Sequence, residues 1–346
     1  MIKRIPFIEQ LTPLFATAVP GITRLFFAVT LNMLFSAKSA LPVLMDFGLV
    51  MALSMTLSQG FSLLLLKEAD QEYQASVSVA SYGTSVLGVF VLLILSSYNY
   101  LNFFLPSVLL FIGLVGYQNV RHNLLRQGAF LQISGLEFLL WGAFTALTVW
   151  MYLNNLVTPL NLLYAFAIPF IFFSIYELLR LDYRITRPSL ISLCSRQAGL
   201  IGVTNVLSAG VVWVLPKLSG EIFPTEQVVV IANLAFILSL VALLPRTLLN
   251  KHLPTLNKAV SSRNRDIMAE VHGRLLKILW LIFPSVIIVS VLYYTLLLRP
   301  LSLSIVEVLL ILSLASFVAI ESQKSIIHSM VLTFLHKNHF GLIFNL

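Results

Sequence analysis

The sequence predicts an all-α, polytopic membrane protein with about ten transmembrane helices in two lobes and a cytoplasmic N-terminus. Three observations predict it. Of 346 residues, 58% are hydrophobic and only 10% are charged, against about 25% charged in soluble domains. Apolar runs of roughly 18 to 25 residues recur along the chain, each enough to cross about 30 Å of hydrocarbon. The basic residues gather on one side of those runs. A soluble core is excluded, and a single cysteine, Cys194, excludes an intramolecular disulfide or a thiolate metal cluster.

Taken in order, the runs lie at 11–37, 43–66, 74–97, 101–122, 129–153, 156–179, 198–217, 224–249, 275–298 and 302–324. The first follows Lys3 and Arg4 and contains Ala16-Thr17-Ala18, so it resembles a signal peptide. Glu9 and Gln10 interrupt the apolar stretch, however, and the run continues to Phe35, which reads as an uncleaved helix. Charged connections, KEADQE (67–72) and RHNLLRQG (121–128), alternate with weakly charged ones, SSYNYLN (96–102) and NNLVTPL (154–160). RLDYRITRPSLISLCSRQ (180–197) mixes basic and apolar residues and suits an amphipathic stretch at the cytoplasmic headgroups. It divides a six-helix lobe, 1–179, from a second lobe, 198–346, of about four helices and a terminal stub. Segment 250–277 reads as helical extensions of the eighth and ninth helices, and the tenth continues through 322–335 before HKNH (336–339) turns into FGLIFNL (340–346). A weak likeness between 46–66 and 227–249, six helices later, fits two parallel repeats.

The charge count supports this order of helices. With the N-terminus inside, only Lys38, Lys217 and Arg299 fall outside and only Arg24 falls within the membrane; the rest of the 22 Lys and Arg residues are cytoplasmic. That is a strong positive-inside bias. The net charge of +8 is therefore a topology signal rather than a nucleic-acid patch.

No phosphate-binding glycine loop, H-E-x-x-H motif or nucleophile elbow is present. The sequence therefore offers no catalytic residue, cofactor or metal site, and His328, His336 and His339 read as wet surface. Chemistry in the membrane falls to a few polar groups. Arg24 sits near the centre of the first run, just after Pro20-Gly21. Its guanidinium keeps its charge, and facing lipid would cost from about 3 to over 10 kcal/mol. Two readings stand: an arginine paired to a carboxylate on a neighbouring helix, or a fixed positive charge for an anionic substrate. Glu137, about eight residues into the fifth run, is the best partner for Arg24 or a site for a coupling proton or cation.

Asp46 and Glu307 lie near outer helix ends and Glu177 and Glu321 near the inner face, where interfacial solvation is expected. Asn32, Gln59, Asn205 and Asn233 fall inside apolar runs, for packing first and cavity lining second. Pro20, Pro106, Pro169 and Pro284 mark kinks, and the 25 Phe and 11 Tyr are expected mainly at lipid or interfaces.

A family resemblance emerges from two blocks. After a long first helix and a short outer loop, DFGLVMALSMTLSQGFSLLLLKEAD (46–70) looks like the "FGLY…" second helix of polysaccharide flippases. Segment 223–286, from FPTEQVVV to LIFPSV, is similar to that family's eighth and ninth helices with their cytoplasmic connection. The family is the Wzx-like O-antigen/polysaccharide flippase branch of the multidrug/oligosaccharidyl-lipid/polysaccharide exporter superfamily, and the resemblance is one of pattern over nearly the whole chain. It implies two six-helix lobes around a central cavity in the cytoplasmic (inner) membrane of a bacterium. The solute would be an undecaprenyl-pyrophosphate-linked oligosaccharide, moved to the periplasmic leaflet during surface polysaccharide synthesis, with polymerase and chain-length proteins as partners. Such proteins usually have twelve or more helices, so ten imply an incomplete second lobe and a C-terminally truncated chain. Two phosphate charges need a polar path through hydrocarbon, and Arg24 is the intramembrane cation expected to meet them, with Asn32, Gln59, Asn205 and Asn233 along the path. The alternatives are a cation-coupled drug antiporter using Glu137, a non-transporting remnant, and a membrane polymerase, which the short outer loops disfavour.

Overall fold

The computed structural model describes residues 21–65, 70–180, 185–205 and 211–234, with isolated positions between 266 and 320. Every regular element among the described residues is helical. The chain divides into two compact units, Phe26–Val228, and Met1–Leu25 with Val229–Leu346. Helix α1, Gly21–Leu34, runs across that boundary. Then follow α2 (Ala37–Leu57), α3 (Gln59–Leu64), α4 (Gln71–Ser97), α5 (Phe104–Arg126), α6 (Phe130–Leu153), α7 (Pro159–Arg180), α8 (Pro188–Asn205) and α9 (Val211–Gly220). Five of these, α2, α4, α5, α6 and α7, are long and apolar enough to cross a membrane. A further helical stretch occupies 225–234, and the described positions 266, 267, 269, 270, 273 and 274 are helical, with an Arg274–Glu270 ion pair one turn apart. The tail from 321 onwards, with Glu321, lies outside the described residues, as do Glu307 and all but isolated positions of the last two predicted spans.

The turns follow from residue type. Asn99 and Asn155 follow α4 and α6 in the left-handed region, with φ of 59° and 56°. In each turn the next amide reaches back to the helix, Tyr100 N–H to Leu95 O and Leu156 N–H to Met151 O, both 2.8 Å. Asparagine tolerates that backbone better than other non-glycine residues, and both asparagines stand in the predicted outer loops. Gly128, at φ 68°, ends α5 in the same way, with Ala129 N–H on Leu124 O at 2.9 Å. At the opposite end of a helix, Asp70 caps α4 by accepting Tyr73 N–H at 3.1 Å, and Glu72 in the first turn adds negative charge at the positive end of the helix.

The predicted second span is broken at Ser58. Its hydroxyl bonds back to Ser54 O at 2.8 Å, an arrangement that bends helices, and separates α2 from α3. The predicted seventh span is likewise carried by two described helices: α8 begins at Pro188, inside the expected linker, and α9 follows 206–210, which lie outside the described residues.

Packing inside Phe26–Val228 rests on small residues where backbones meet. Against α7, a methyl at Gly116 would strike the Ser174 backbone, and one at Gly113 would lie 2.6 Å from Phe170 Cβ. Without lipid-expelling hydrophobic force between spans, such close approach is what joins membrane helices. An aromatic cluster fills the middle of the unit: Phe27 lies 4.6 Å from Phe166 and 4.9 Å from Phe47, while Phe166 lies 5.2 Å from Phe170 and 5.4 Å from Phe144. All five are buried. The expectation that aromatics mainly face lipid is corrected here, because an interior between spans is as apolar as the lipid outside. Outward-facing apolar residues remain abundant, among them Phe90, Phe138, Trp150 and Phe172. Along α6 they border an open apolar groove of about 700 Å³.

Candidate functional site

Among the described residues of the unit Phe26–Val228 three carboxylates are buried, each on a different helix: Asp46 on α2, Glu137 on α6 and Glu177 on α7. The interfacial solvation expected for Asp46 and Glu177 is overturned. Asp46 is fully buried because it holds the start of α5, accepting from Asn102 N–H at 2.9 Å, Asn102 Nδ2 at 2.9 Å and Phe103 N–H at 2.6 Å. It thereby ties α2 to the turn just ahead of α5, whose own N-cap residue, Phe103, makes no side-chain capping bond. Glu177 is 7% exposed although it lies three residues from the end of α7. Ser78 Oγ donates to its Oε1 at 2.9 Å and Tyr82 Oη to its Oε2 at 2.8 Å, both from one face of α4.

Glu137 is fully buried and accepts a hydrogen bond from Tyr117 Oη. The Tyr117 ring is held edge-on by Phe170 at 5.3 Å and Phe173 at 5.6 Å, so the hydroxyl is aimed rather than mobile.

Helix α5 carries the polar interior. Gln118 donates from Nε2 to Ser54 Oγ at 2.8 Å and accepts from Ser58 Oγ at 2.8 Å, which ties α5 to the break between α2 and α3. His122, one turn on, donates from Nδ1 to the Gln118 carbonyl at 2.7 Å and is buried. Asn119 is fully buried, with its side-chain amide against the Glu177 carboxylate. Nearer the end of the helix, Arg126 Nη2 bonds Gln74 Oε1 at 3.0 Å, and Arg187, just before α8, forms an ion pair with Glu72. Sequence reasoning missed Tyr117, Gln118 and Asn119. Their signal was three consecutive polar residues, followed by Arg121 and His122, inside a run otherwise apolar enough to span.

The residues expected to meet substrate are distributed as follows. Arg24 lies on α1, half-buried, in the unit with 229–346, whereas Glu137 belongs to Phe26–Val228. Asn32, half-buried on α1, donates from Nδ2 to Ala28 O at 2.8 Å; Asn233, fully buried, bonds Val229 O in the same manner at 2.8 Å. Gln59 opens α3 half-buried, with a buried Oε1 that has no hydrogen-bond partner. Asn205 is the last described residue of α8. Among the described residues no group of three or more His, Cys, Asp or Glu could hold a metal.

The arrangement is that of a membrane-spanning helical lobe with acids and amides held inside it. No protein-family model and no curated protein matches the sequence. Solved structures do match the fold. A multidrug resistance MATE family transporter of the MOP superfamily, in an inward-facing conformation, aligns with a TM-score of 0.60 at 15% identity, covering 96% of this chain and 89% of its own. The eukaryotic MATE transporter AtDTX14 aligns with a TM-score of 0.58 at 14% identity, covering 96% of this chain and 82% of its own. The chain is a multi-pass membrane protein with the fold of MATE transporters.

Proposed function

We propose that the protein is a transporter that moves a lipid-linked oligosaccharide, with an anionic pyrophosphate link to its lipid, across the cytoplasmic membrane of a bacterium. The observation that carries the reading is Arg24, a permanent cation in the apolar helix α1 of a chain with a transporter fold. A diphosphate headgroup with sugars cannot cross hydrocarbon unaided. A guanidinium matches phosphate with paired donors and keeps its charge at every stage of transport. Asn32 and Asn233, both able to offer further polar contacts once they release their own helix carbonyls, and Gln59, with its unused Oε1, would contact the sugars. Glu137, held by Tyr117, serves either to couple transport to a proton or cation or to fix helix α6 in place. Polymerase and chain-length proteins would receive the product.

Expression in a bacterium lacking its own oligosaccharide flippase tests this. Restoration of surface polysaccharide, dependent on Arg24, supports the reading. The second reading, a drug antiporter, is favoured by the multidrug resistance protein of the same fold. It would instead give resistance to cationic dyes with no restoration of polysaccharide. Neither effect at normal protein levels would leave a non-transporting remnant.

A further inference from the structure

Basic side chains at the predicted cytoplasmic ends of the helices are used in two different ways. Arg126 bonds Gln74 and Arg187 pairs with Glu72, so both reach onto α4. Arg180, the last residue of α7, is exposed and forms no ion pair with a carboxylate among the described residues. Glu177, three residues earlier, is buried and taken up by Ser78 and Tyr82 of α4. Arg180 is positioned by Tyr176 instead: its Nη1 donates to Tyr176 Oη one turn back, and its guanidinium lies over the Tyr176 ring, 5.2 Å from the centroid. A guanidinium has five N–H donors, and Tyr176 accepts one of them.

The face of α7 that leads to this cation is apolar. Ile168, Phe172, Ile175, Tyr176 and Leu179 recur at three- and four-residue steps, and all are exposed, Leu179 to 83%. Ile168 and Leu179 are about 16 Å apart along the helix axis, close to half of a hydrocarbon core of about 30 Å. The strip is one leaflet long and ends in a positioned positive charge at headgroup depth.

We propose that this face of α7 binds one anionic phospholipid of the cytoplasmic leaflet, with its acyl chains along the apolar strip and its phosphate on Arg180. Charge complementarity selects the occupant. A held guanidinium with open donors matches a phosphodiester, and anionic lipids are drawn to basic residues at the cytoplasmic surface. A choline lipid carries its own cation and gains less, and an apolar helix of another protein would leave the guanidinium without an anion. The site uses neither Arg24 nor Glu137, and it does not depend on what the protein carries.

The test is thermal unfolding of the purified full-length protein in neutral detergent, followed by tryptophan fluorescence. Phosphatidylglycerol, phosphatidylcholine or inorganic phosphate is added, so that any rise reports binding to the folded state. A saturable rise of a few degrees is expected with phosphatidylglycerol and little or none with the other two. Arg180→Gln should raise the half-saturating content of phosphatidylglycerol about fivefold, the share of one basic residue at an anionic surface, and Arg180→Lys should fall between. Arg196→Gln, the same loss of charge at an exposed position on α8, should leave the response unchanged. A wild-type transition that phosphatidylglycerol does not move would overturn the proposal. So would an equal rise with phosphatidylcholine or inorganic phosphate, or an equal weakening by Arg196→Gln.

Discussion

Asp46→Ala should cost the fold about 2–4 kcal/mol, which is large for one residue in a protein whose helices are each held by lipid. The figure follows from what Asp46 touches. It accepts three donors from Asn102 and Phe103 at 2.6–2.9 Å, two of them backbone N–H groups at the start of α5. Losing an ordinary helix cap costs about 0.5–2 kcal/mol, and hydrogen bonds to a charged acceptor are worth about 1.5–3 kcal/mol each without being additive. Asn102 is exposed and can turn to water, which keeps the total below the full sum. Asp46→Asn retains one acceptor oxygen and should lose about half as much. Asn102→Ala removes only the side-chain donor and should cost about 1 kcal/mol. Reversible unfolding in mixed micelles of increasing SDS content measures all three. A stability for Asp46→Ala within about 0.5 kcal/mol of wild type, the ordinary spread of surface changes, would show that this contact does not hold α5 in place. So would an order in which Asn102→Ala proves the more damaging.

The other predictions concern packing and the second buried acid. Gly116→Ala should destabilise by about 1–3 kcal/mol because its methyl meets the Ser174 backbone, which cannot rotate aside. Gly135→Ala, where an added Cβ meets nothing within 4 Å, should be neutral or slightly stabilising in the same unfolding assay. Tyr117→Phe keeps the ring stack on Phe170 and Phe173 but deprives Glu137 of a donor; it should cost about 1–3 kcal/mol, and Glu137→Leu in the same background should recover part of that loss.

Much of the fold was legible because membrane spans announce themselves by length and hydropathy. The connections at 96–102, 121–128 and 154–160 were legible too, and Asn99, Gly128 and Asn155 within them take the left-handed backbone there. What composition could not supply was orientation around each helix. In water, apolar periodicity separates the buried face from the exposed one; in lipid both faces are apolar, so Phe27 and Phe90 look alike in sequence although one is core and the other faces out. For the same reason Asp46 and Glu177 read as interfacial from their places near span ends. Their partners lie 56 to 57 and 95 to 99 residues away, on helices whose pairing no local pattern reveals. Glu137 was picked out as an acid within a span, and its burial follows from that position, but its Tyr117 partner did not show in the sequence. Ser58, at the break between α2 and α3, bonds Gln118, 60 residues on, a contact that one uninterrupted apolar run does not reveal.

Arg24 is the residue on which the functional account turns. The measurement is the rate at which a fluorescent undecaprenyl-pyrophosphate oligosaccharide changes leaflet in vesicles containing the purified protein. Wild type should accelerate the exchange, Arg24→Lys should retain part of the acceleration, and Arg24→Ala should fall to the rate of protein-free vesicles. Undiminished exchange by Arg24→Ala at equal protein content would contradict the account.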